Sequence, residues 1–408
     1  MRPPALFLAA DTPWPPDGGG RIATLRVLES MVRERPVDLL ALADPEQPID
    51  LRYLRSICRR VELVELPFTF GRHRGRQLAV ALRSLPSPDP YRLRKFRSRI
   101  FARRVRELKR VSRYEFVHHD QFGVAPYVDS QYPTTLTTQN VESEIYRLGA
   151  QRATGLLRRA WAALEAGKLR RAEPRLCRQF DAVFVLSDHD ARLLEGLGVD
   201  DARVLPIPID APPSPPSGPP PGARVLTIGS MSWFGVEDGL LWLHREVMPR
   251  VRAAVPETTW DLVGPNAGSR IREIADGRSL ILHGYLPDVE PILARSRVCL
   301  VPLQVAGGIR IKVIEMLARG IPCVATTVGA QGLSFADGEG CFRRDDPAGF
   351  ADAVVRLLRD DQLWRETARR GWQYVRKTHT RAGMATALEE GIQHALRSHA
   401  DKGGELGS

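Results

Sequence analysis

Apolar positions along the 408-residue chain alternate between short unbroken runs and longer stretches with a 3.6-residue period. Short runs suit strands buried on both faces, and helical periods suit helices with one buried side. Runs at 6–10, 37–42, 134–138, 181–186, 224–228, 260–263, 280–286, 298–303 and 322–325 predict strands, while 61–66 alternates in a strand's period of two. Helical periods cover 91–113, 154–178, 237–251, 309–319, 346–358, 361–378 and 381–397. In the first of these Leu93, Phe96, Ile100, Leu108 and Val111 form the expected buried side, and in 309–319 Ile309, Val313 and Leu317 do. Residues 70–90 show neither period and predict irregular chain, and the end beyond Asp401 is expected to fray. Strands and helices taking turns in this way predict an α/β fold.

The segment 211–222 reads APPSPPSGPPPG. Its prolines exclude helix and inner strand and predict an extended, semi-rigid linker. It divides the chain into an N-terminal domain over 1–210 and a C-terminal domain over 223–378, followed by a last helix over 379–400. A hydrophobic content of 43% supplies two ordinary cores. No apolar run approaches the roughly 18 residues a membrane helix needs. Cys58, Cys177, Cys299, Cys323 and Cys341 are odd in number, scattered and without metal-ligand spacing, which points to a reducing, cytoplasmic setting.

The net charge of +11 is concentrated. From Tyr91 to Arg113 eleven arginines and lysines stand against Glu107 alone, a local balance of +10, so the rest of the chain is nearly neutral. Such a basic amphipathic helix is either a domain helix with a solvated outer face or a dock for anionic lipid or an anionic acceptor. No aromatic platform or nucleic-acid motif accompanies the charge, and no nucleic-acid partner is expected.

Candidate chemistry centres on 298–326, VCLVPLQVAGGIRIKVIEMLARGIPCVAT. It reads as strand, glycine turn at Gly307 and Gly308, helix from Ile309, stop at Gly320 and Pro322, and strand. Free amides and the dipole at a helix start make an anion site, and Arg310 and Lys312 place two cations beside it. Glu315 lies roughly 6–9 Å further along the axis. That is about the reach from a diphosphate to its ribose, whose hydroxyls a carboxylate can bind. The plain alternative is an ordinary Lys312–Glu315 helix pair with Arg310 in solvent. Gly18, Gly19 and Gly20 precede a helix expected from about Arg21, and again offer either an anion site or a surface turn. His118, His119 and Asp120 close a strand at the end where ligands of such sheets bind. A histidine there either meets a ligand or belongs to the core. Asn140 fits a helix cap, with Glu142 beside it. Ser187-Asp188-His189-Asp190 contains Asp-x-Asp but fits a capped helix start better than a metal site.

The stretch GGIRIKVIEMLARGIPCVAT resembles the donor-site helix of family 4 glycosyltransferases, and PPDGGGR after the first strand resembles that family's opening. The resemblance implies the GT-B fold: two Rossmann-like domains facing across a cleft, with a C-terminal helix crossing back to the N-terminal domain. It implies a retaining, metal-independent glycosyltransferase without cofactor. The donor would be a UDP-, GDP- or other nucleotide-diphosphate sugar. The acceptor would be a hydroxyl on a lipid-linked glycan, exopolysaccharide precursor or natural product. By the same resemblance Gly307, Gly308, Ile309, Arg310 and Lys312 hold the diphosphate and Glu315 the ribose. Gly18, Gly19 and Gly20 face phosphates and acceptor, and Gly229 with Ser230 forms the first loop of the donor domain. The backbone of Gly284, Tyr285 and Leu286 meets the base, and residues 329–333 close the site. His119, then His118, with Asp120, lies near the transferred sugar. The family motif is Glu, seven residues, Glu; its second member matches Glu315, whereas the first falls on Gly307. Residues 230–235 hold no cation, which leaves the diphosphate to Arg310 and Lys312. An epimerase or pseudo-glycosyltransferase on the same fold, and a non-catalytic binder of anionic surfaces through residues 91–113, are the alternatives.

Overall fold

The structure, a computed structural model, describes residues 2–45, 50–66, 74–153, 155–231, 235–305 and 307–405. The chain divides into two compact units, residues 1–207 with 381–408, and residues 208–380.

The first unit is built on a seven-stranded sheet. Its strands are β1 (Ala5–Ala9), β2 (Val37–Ala43), β3 (Arg60–Glu65), β4 (Val117–Asp120), β5 (Thr134–Thr137), β6 (Ala182–Val185) and β7 (Arg203–Val204). All pairs are parallel, in the order β3-β2-β1-β4-β5-β6-β7. One face packs Leu6, Leu8, Leu40, Leu42 and Val117 against Phe101, Val105 and Leu108 of the helix Arg99–Val111. The helix Arg381–Glu405 belongs to this unit and lies so close to β6 that a Cβ on Gly391 would sit 2.3 Å from the Phe184 ring.

The second unit has six parallel strands: β8 (Arg224–Ile228), β9 (Thr259–Val263), β10 (Leu280–Gly284), β11 (Val298–Val301), β12 (Cys323–Ala325) and β13 (Cys341–Arg343). Their order is β10-β9-β8-β11-β12-β13. One face packs Val225, Trp260, Leu262, Leu300 and Val324 against Phe350, Val354 and Leu357 of the helix Pro347–Arg359. The other packs Leu226, Cys299, Cys323 and Cys341 against Ile314, Met316 and Leu317 of the helix Ile311–Ala318. The five cysteines are all buried. Both sheets reverse their winding once, between β1 and β4 and between β8 and β11, and open α/β sheets bind ligands beyond the carboxyl ends of strands at such points.

Several elements differ from the sequence pattern. The stretch expected to be irregular contains the helix Arg74–Ser84, while residues 70–73 fall outside the described ones, as do Thr154 and residues 232–234 of the loop after β8. The basic stretch is two helices, Tyr91–Lys95 and Arg99–Val111, not one. Ser98 breaks it by capping the second helix, its Oγ accepting from the Phe101 N–H at 3.2 Å. The break resets the helical phase, so Ile100 and Val111, expected inside, are 68% and 69% exposed. The proline-rich segment lies against its own unit: Pro212 and Pro213 carbonyls accept from Trp372 Nε1 (2.9 Å) and Arg376 Nη1 (2.7 Å). The last helix does not end at Asp401, because Lys402 bonds Asp181 at 2.8 Å.

Candidate active site

At the carboxyl edge of the second sheet the loops close on one another through glycines. Gly264, after β9, has φ 146°, and a Cβ there would lie 1.8 Å from the Gly229 carbonyl oxygen after β8. Gly264 donates to the Gly284 carbonyl at 2.8 Å, joining the ends of β9 and β10. Across the switch point a Cβ on Gly239, in the helix Val236–Trp242, would lie 2.0 Å from the Pro302 carbonyl oxygen after β11. The loops carrying Gly229, Gly284 and the turn before Ile311 thus share one edge. Tyr285 stands 64% exposed there, and Leu286 packs inward.

The helix after β11 begins at Ile311, two residues later than its apolar period predicts. Arg310 is its cap residue, and its Nη2 donates to the carbonyls of Gly307 and Gly308 (2.7 Å to the latter). The guanidinium therefore braces the glycine turn. The Ile311 N–H is used as well, by the Ile309 carbonyl at 3.2 Å. Lys312 and Glu315 form an ion pair at 2.8 Å, both partly exposed. The helix thus starts at the switch point with a positive end, a braced turn and one carboxylate a turn downstream.

In the first unit the corresponding edge carries Asp120, at the end of β4. Its Oδ2 accepts from Thr24 Oγ1 (2.5 Å) and Gln139 Nε2 (3.2 Å), while Oδ1 is buried without a partner. Burial pushes the carboxyl up to about 7, against the pull of those two hydrogen bonds. Gln139 Nε2 also lies 3.1 Å from the Gly20 carbonyl oxygen, and a Cβ on Gly20 would meet Gln139 Oε1 at 3.0 Å. Gly18 is the cap of the helix Gly19–Glu34, so Gly19 and Gly20 form its first turn rather than a loop. Arg21, where the sequence placed the helix start, is gripped by Asp11 (2.8 Å) and Asp17 (3.3 Å).

His118 and His119 are both fully buried. The His118 ring bonds Thr135 Oγ1 (2.8 Å) through Nδ1 and Thr137 Oγ1 (3.3 Å) through Nε2. His119 Nδ1 bonds the Val124 carbonyl at 3.0 Å, its Nε2 has no partner, and Phe180 meets the ring edge-on at 4.9 Å. Burial holds His118 well below the usual imidazole range and His119 down at about 3, so both rings are neutral. Ser187 caps its helix, Oγ accepting from the Asp190 N–H at 3.1 Å.

These observations meet in the comparison with known proteins. Residues 222–360 match the family model described as glycosyl transferases group 1. The matched residues all lie in the second unit. The whole chain has the GT-B fold, as its solved neighbours show. Sucrose-phosphate synthase from Thermosynechococcus elongatus superposes with a TM-score of 0.67 at 17% identity, covering 95% of this chain and 98% of that one. HepE of Anabaena, in complex with UDP and glucose, gives 0.67 at 13%, covering 96% and 100%. WaaG, a glycosyltransferase involved in lipopolysaccharide biosynthesis, gives 0.60 at 15%, covering 95% and 98%. No curated protein sequence matches the chain. The matched residues include Gly229, Ser230, Gly284, Tyr285, Leu286, Gly307, Gly308, Ile309, Arg310, Lys312 and Glu315. Gly18, Gly19, Gly20, His118, His119 and Asp120 lie in the other unit.

The sequence reading missed Thr24 and Gln139, which hold Asp120. Thr24 stands four residues after Gly20 and so returns to the same side of the helix start, a signal the sequence does contain. Gln139 is placed by the sheet order alone, because β5 lies beside β4.

Proposed function

We propose that the protein transfers a glycosyl group from a nucleotide-diphosphate sugar to a hydroxyl acceptor. The carrying observation is the helix Ile311–Ala318, within the residues that match the family model. It begins on a braced glycine turn at the β8/β11 switch point, with Lys312 and Glu315 paired on its exposed side. In this reading the diphosphate draws Lys312 away and frees Glu315 for the two ribose hydroxyls. Arg310 keeps the turn in shape, and the backbone at Gly284, Tyr285 and Leu286 meets the base. HepE, with the same fold, is known in complex with UDP-glucose, which favours a donor of that class.

Charge on the departing diphosphate is met by Lys312, once drawn from Glu315, and by the helix end, which is fixed in place before reaction. Transfer with retention, the leaving phosphate taking the acceptor's proton on the same face, needs no protein nucleophile and no metal. For the sugar-side contact His119 is preferred to His118, because His118 has both nitrogens committed to β5. A sugar-nucleotide thermal-shift screen tests the reading. The true donor raises the melting temperature, and Glu315→Ala and Lys312→Ala each remove the rise. An undiminished rise in both variants would overturn the donor site. Release of free nucleoside diphosphate only on adding acceptor separates transfer from epimerisation.

A further inference from the structure

The exposed large apolar side chains are not spread over the chain. Leu82, Leu85, Ile100, Val111, Leu156, Leu157 and Leu164 all lie between β3 and β6 of the first unit, and outside it among the described residues only Tyr285 joins them. The most exposed are Leu156 and Leu157, at 85% and 88%, in the first turn of the helix Leu156–Cys177. Leu157 and Leu164, two turns apart, form one exposed stripe of that helix, at whose border Trp161 packs on Tyr91 and Tyr146 with ring centroids 5.7 Å away in each case. Lys168 Nζ bonds the carbonyls of Ser84 (2.6 Å) and Leu85 (3.4 Å), which brings Leu85, and Leu82 one turn before it, to the end of the same stripe. Leu157 to Leu164 spans roughly 10 Å, so the exposed leucines extend over about two turns.

The charge beside the strip has one sign. The helix has two acids, Glu165 and Glu173, and both are buried. Glu165 accepts from the Tyr91 N–H at 2.5 Å, and Glu173 accepts from the N–H groups of Glu142 and Ser143 at 2.5 and 2.9 Å. What the helix shows to solvent is therefore leucine and arginine: Arg158, Arg159, Arg170, Arg171 and Arg175 are exposed, and none pairs with a carboxylate among the described residues. The more basic stretch 91–113 is different. Arg92 pairs with Glu142, Arg97 with Asp89, Arg103 with Glu107, Arg104 with Glu62 and Glu107, and Lys109 with Asp129. Much of its field is cancelled at close range.

We propose that the outer side of the helix Leu156–Cys177, with the end of the helix Arg74–Ser84, seats on an anionic phospholipid surface, Leu156 and Leu157 entering the acyl boundary and Arg159, Arg170, Arg171 and Arg175 meeting head-group phosphates. Apolar and cationic groups on one helix side are what an interfacial helix requires, and exposed apolar patches of this extent mark interaction sites. The inference does not depend on the donor assignment.

The test is co-sedimentation of the full chain with phosphatidylcholine vesicles, with and without phosphatidylglycerol. Binding is expected only with the anionic lipid and is expected to weaken with salt. The double variant Leu156→Gln/Leu157→Gln should lose about tenfold or more in partitioning, because two leucine side chains no longer leave water. Charge reversal at Arg97, Arg103 and Arg106 should lose less. Trp161 supplies a second readout: brominated lipid should quench the wild type, and Trp161→Phe should remove that quenching. An unchanged melting curve for the glutamine variant, and an unchanged nucleotide-sugar shift, keep folding and donor binding out of the result. Equal binding by wild type and glutamine variant, or no vesicle binding by the wild type, would overturn the proposal.

Discussion

The roles of Lys312 and Glu315 in the helix Ile311–Ala318 can be separated by magnitude. A partly exposed Lys312–Glu315 pair one turn apart is worth about 0.3–0.5 kcal/mol. If it is only a helix pair, Lys312→Ala changes little of anything. If the pair opens on a nucleotide, Glu315→Ala forfeits hydrogen bonds to a charged acceptor, about 1.5–3 kcal/mol or roughly 10- to 150-fold in donor affinity. We expect melting temperatures of the free variants within about 2 °C of the parent and calorimetric donor affinity lowered by at least tenfold. Asp120 gives a prediction in pH. Its carboxyl is raised by burial from the ordinary range to about 7, so the folded state holds its proton more tightly than the unfolded chain does. The stability from this group is complete below about pH 4 and is lost as pH rises toward 7, by at most about 4 kcal/mol. Asp120→Asn removes that loss, and the variant should gain on the parent between pH 5 and 8 in denaturant melts. Parallel pH profiles would show that another group titrates.

Among the elements, the helix Leu156–Cys177 holds two others by their amino ends. Glu173 serves the two first amides of the helix Glu142–Arg152, which has no side-chain cap of its own. Glu173→Gln keeps the size but turns a donor toward one of those N–H groups, leaving it unsatisfied in a buried place at about 1–3 kcal/mol. The melting temperature should fall, and an unchanged value would mean the amides find other partners. The sequence could not show this, since the carboxylate lies 30 residues beyond the amides it serves. The same limit governs the basic stretch. Its local balance of +10 was plain in the sequence, but Glu62, Asp129 and Glu142, which answer it, come from other elements. Phase was legible only within one helix: Phe101, Val105 and Leu108 have the right spacing, yet counting on from Leu93 and Phe96 across the Ser98 cap pointed to Ile100 and Val111 instead. Where a local rule sufficed, as in the run at 298–301, the glycine turn and the helix behind it, the element was readable to within two residues.

At the scale of the whole molecule the two units differ in how the chain makes them. The second is one continuous segment, Pro208–Thr380, with helices on both faces of its sheet. Its ends meet, the Ile209 N–H donating to the His379 carbonyl at 3.1 Å, and its proline-rich start is bonded to Trp372 and Arg376. The first unit is discontinuous and needs the helix Arg381–Glu405. That helix covers Phe184 and supplies Glu389 to Arg35, whose side chain is 1% exposed and otherwise shared with Glu115 at 2.5 Å. Removing the helix takes away one of the two carboxylates that hold Arg35, besides the apolar surface laid bare. A fragment of residues 208–380 should therefore melt cooperatively and keep the nucleotide-sugar shift. A chain ending at residue 380 should lose the first unit's transition in calorimetry and retain the second's. If the isolated fragment melts normally but no sugar nucleotide shifts it, while the full chain does respond, the assignment of the donor site to the helix at Ile311 alone would be overturned.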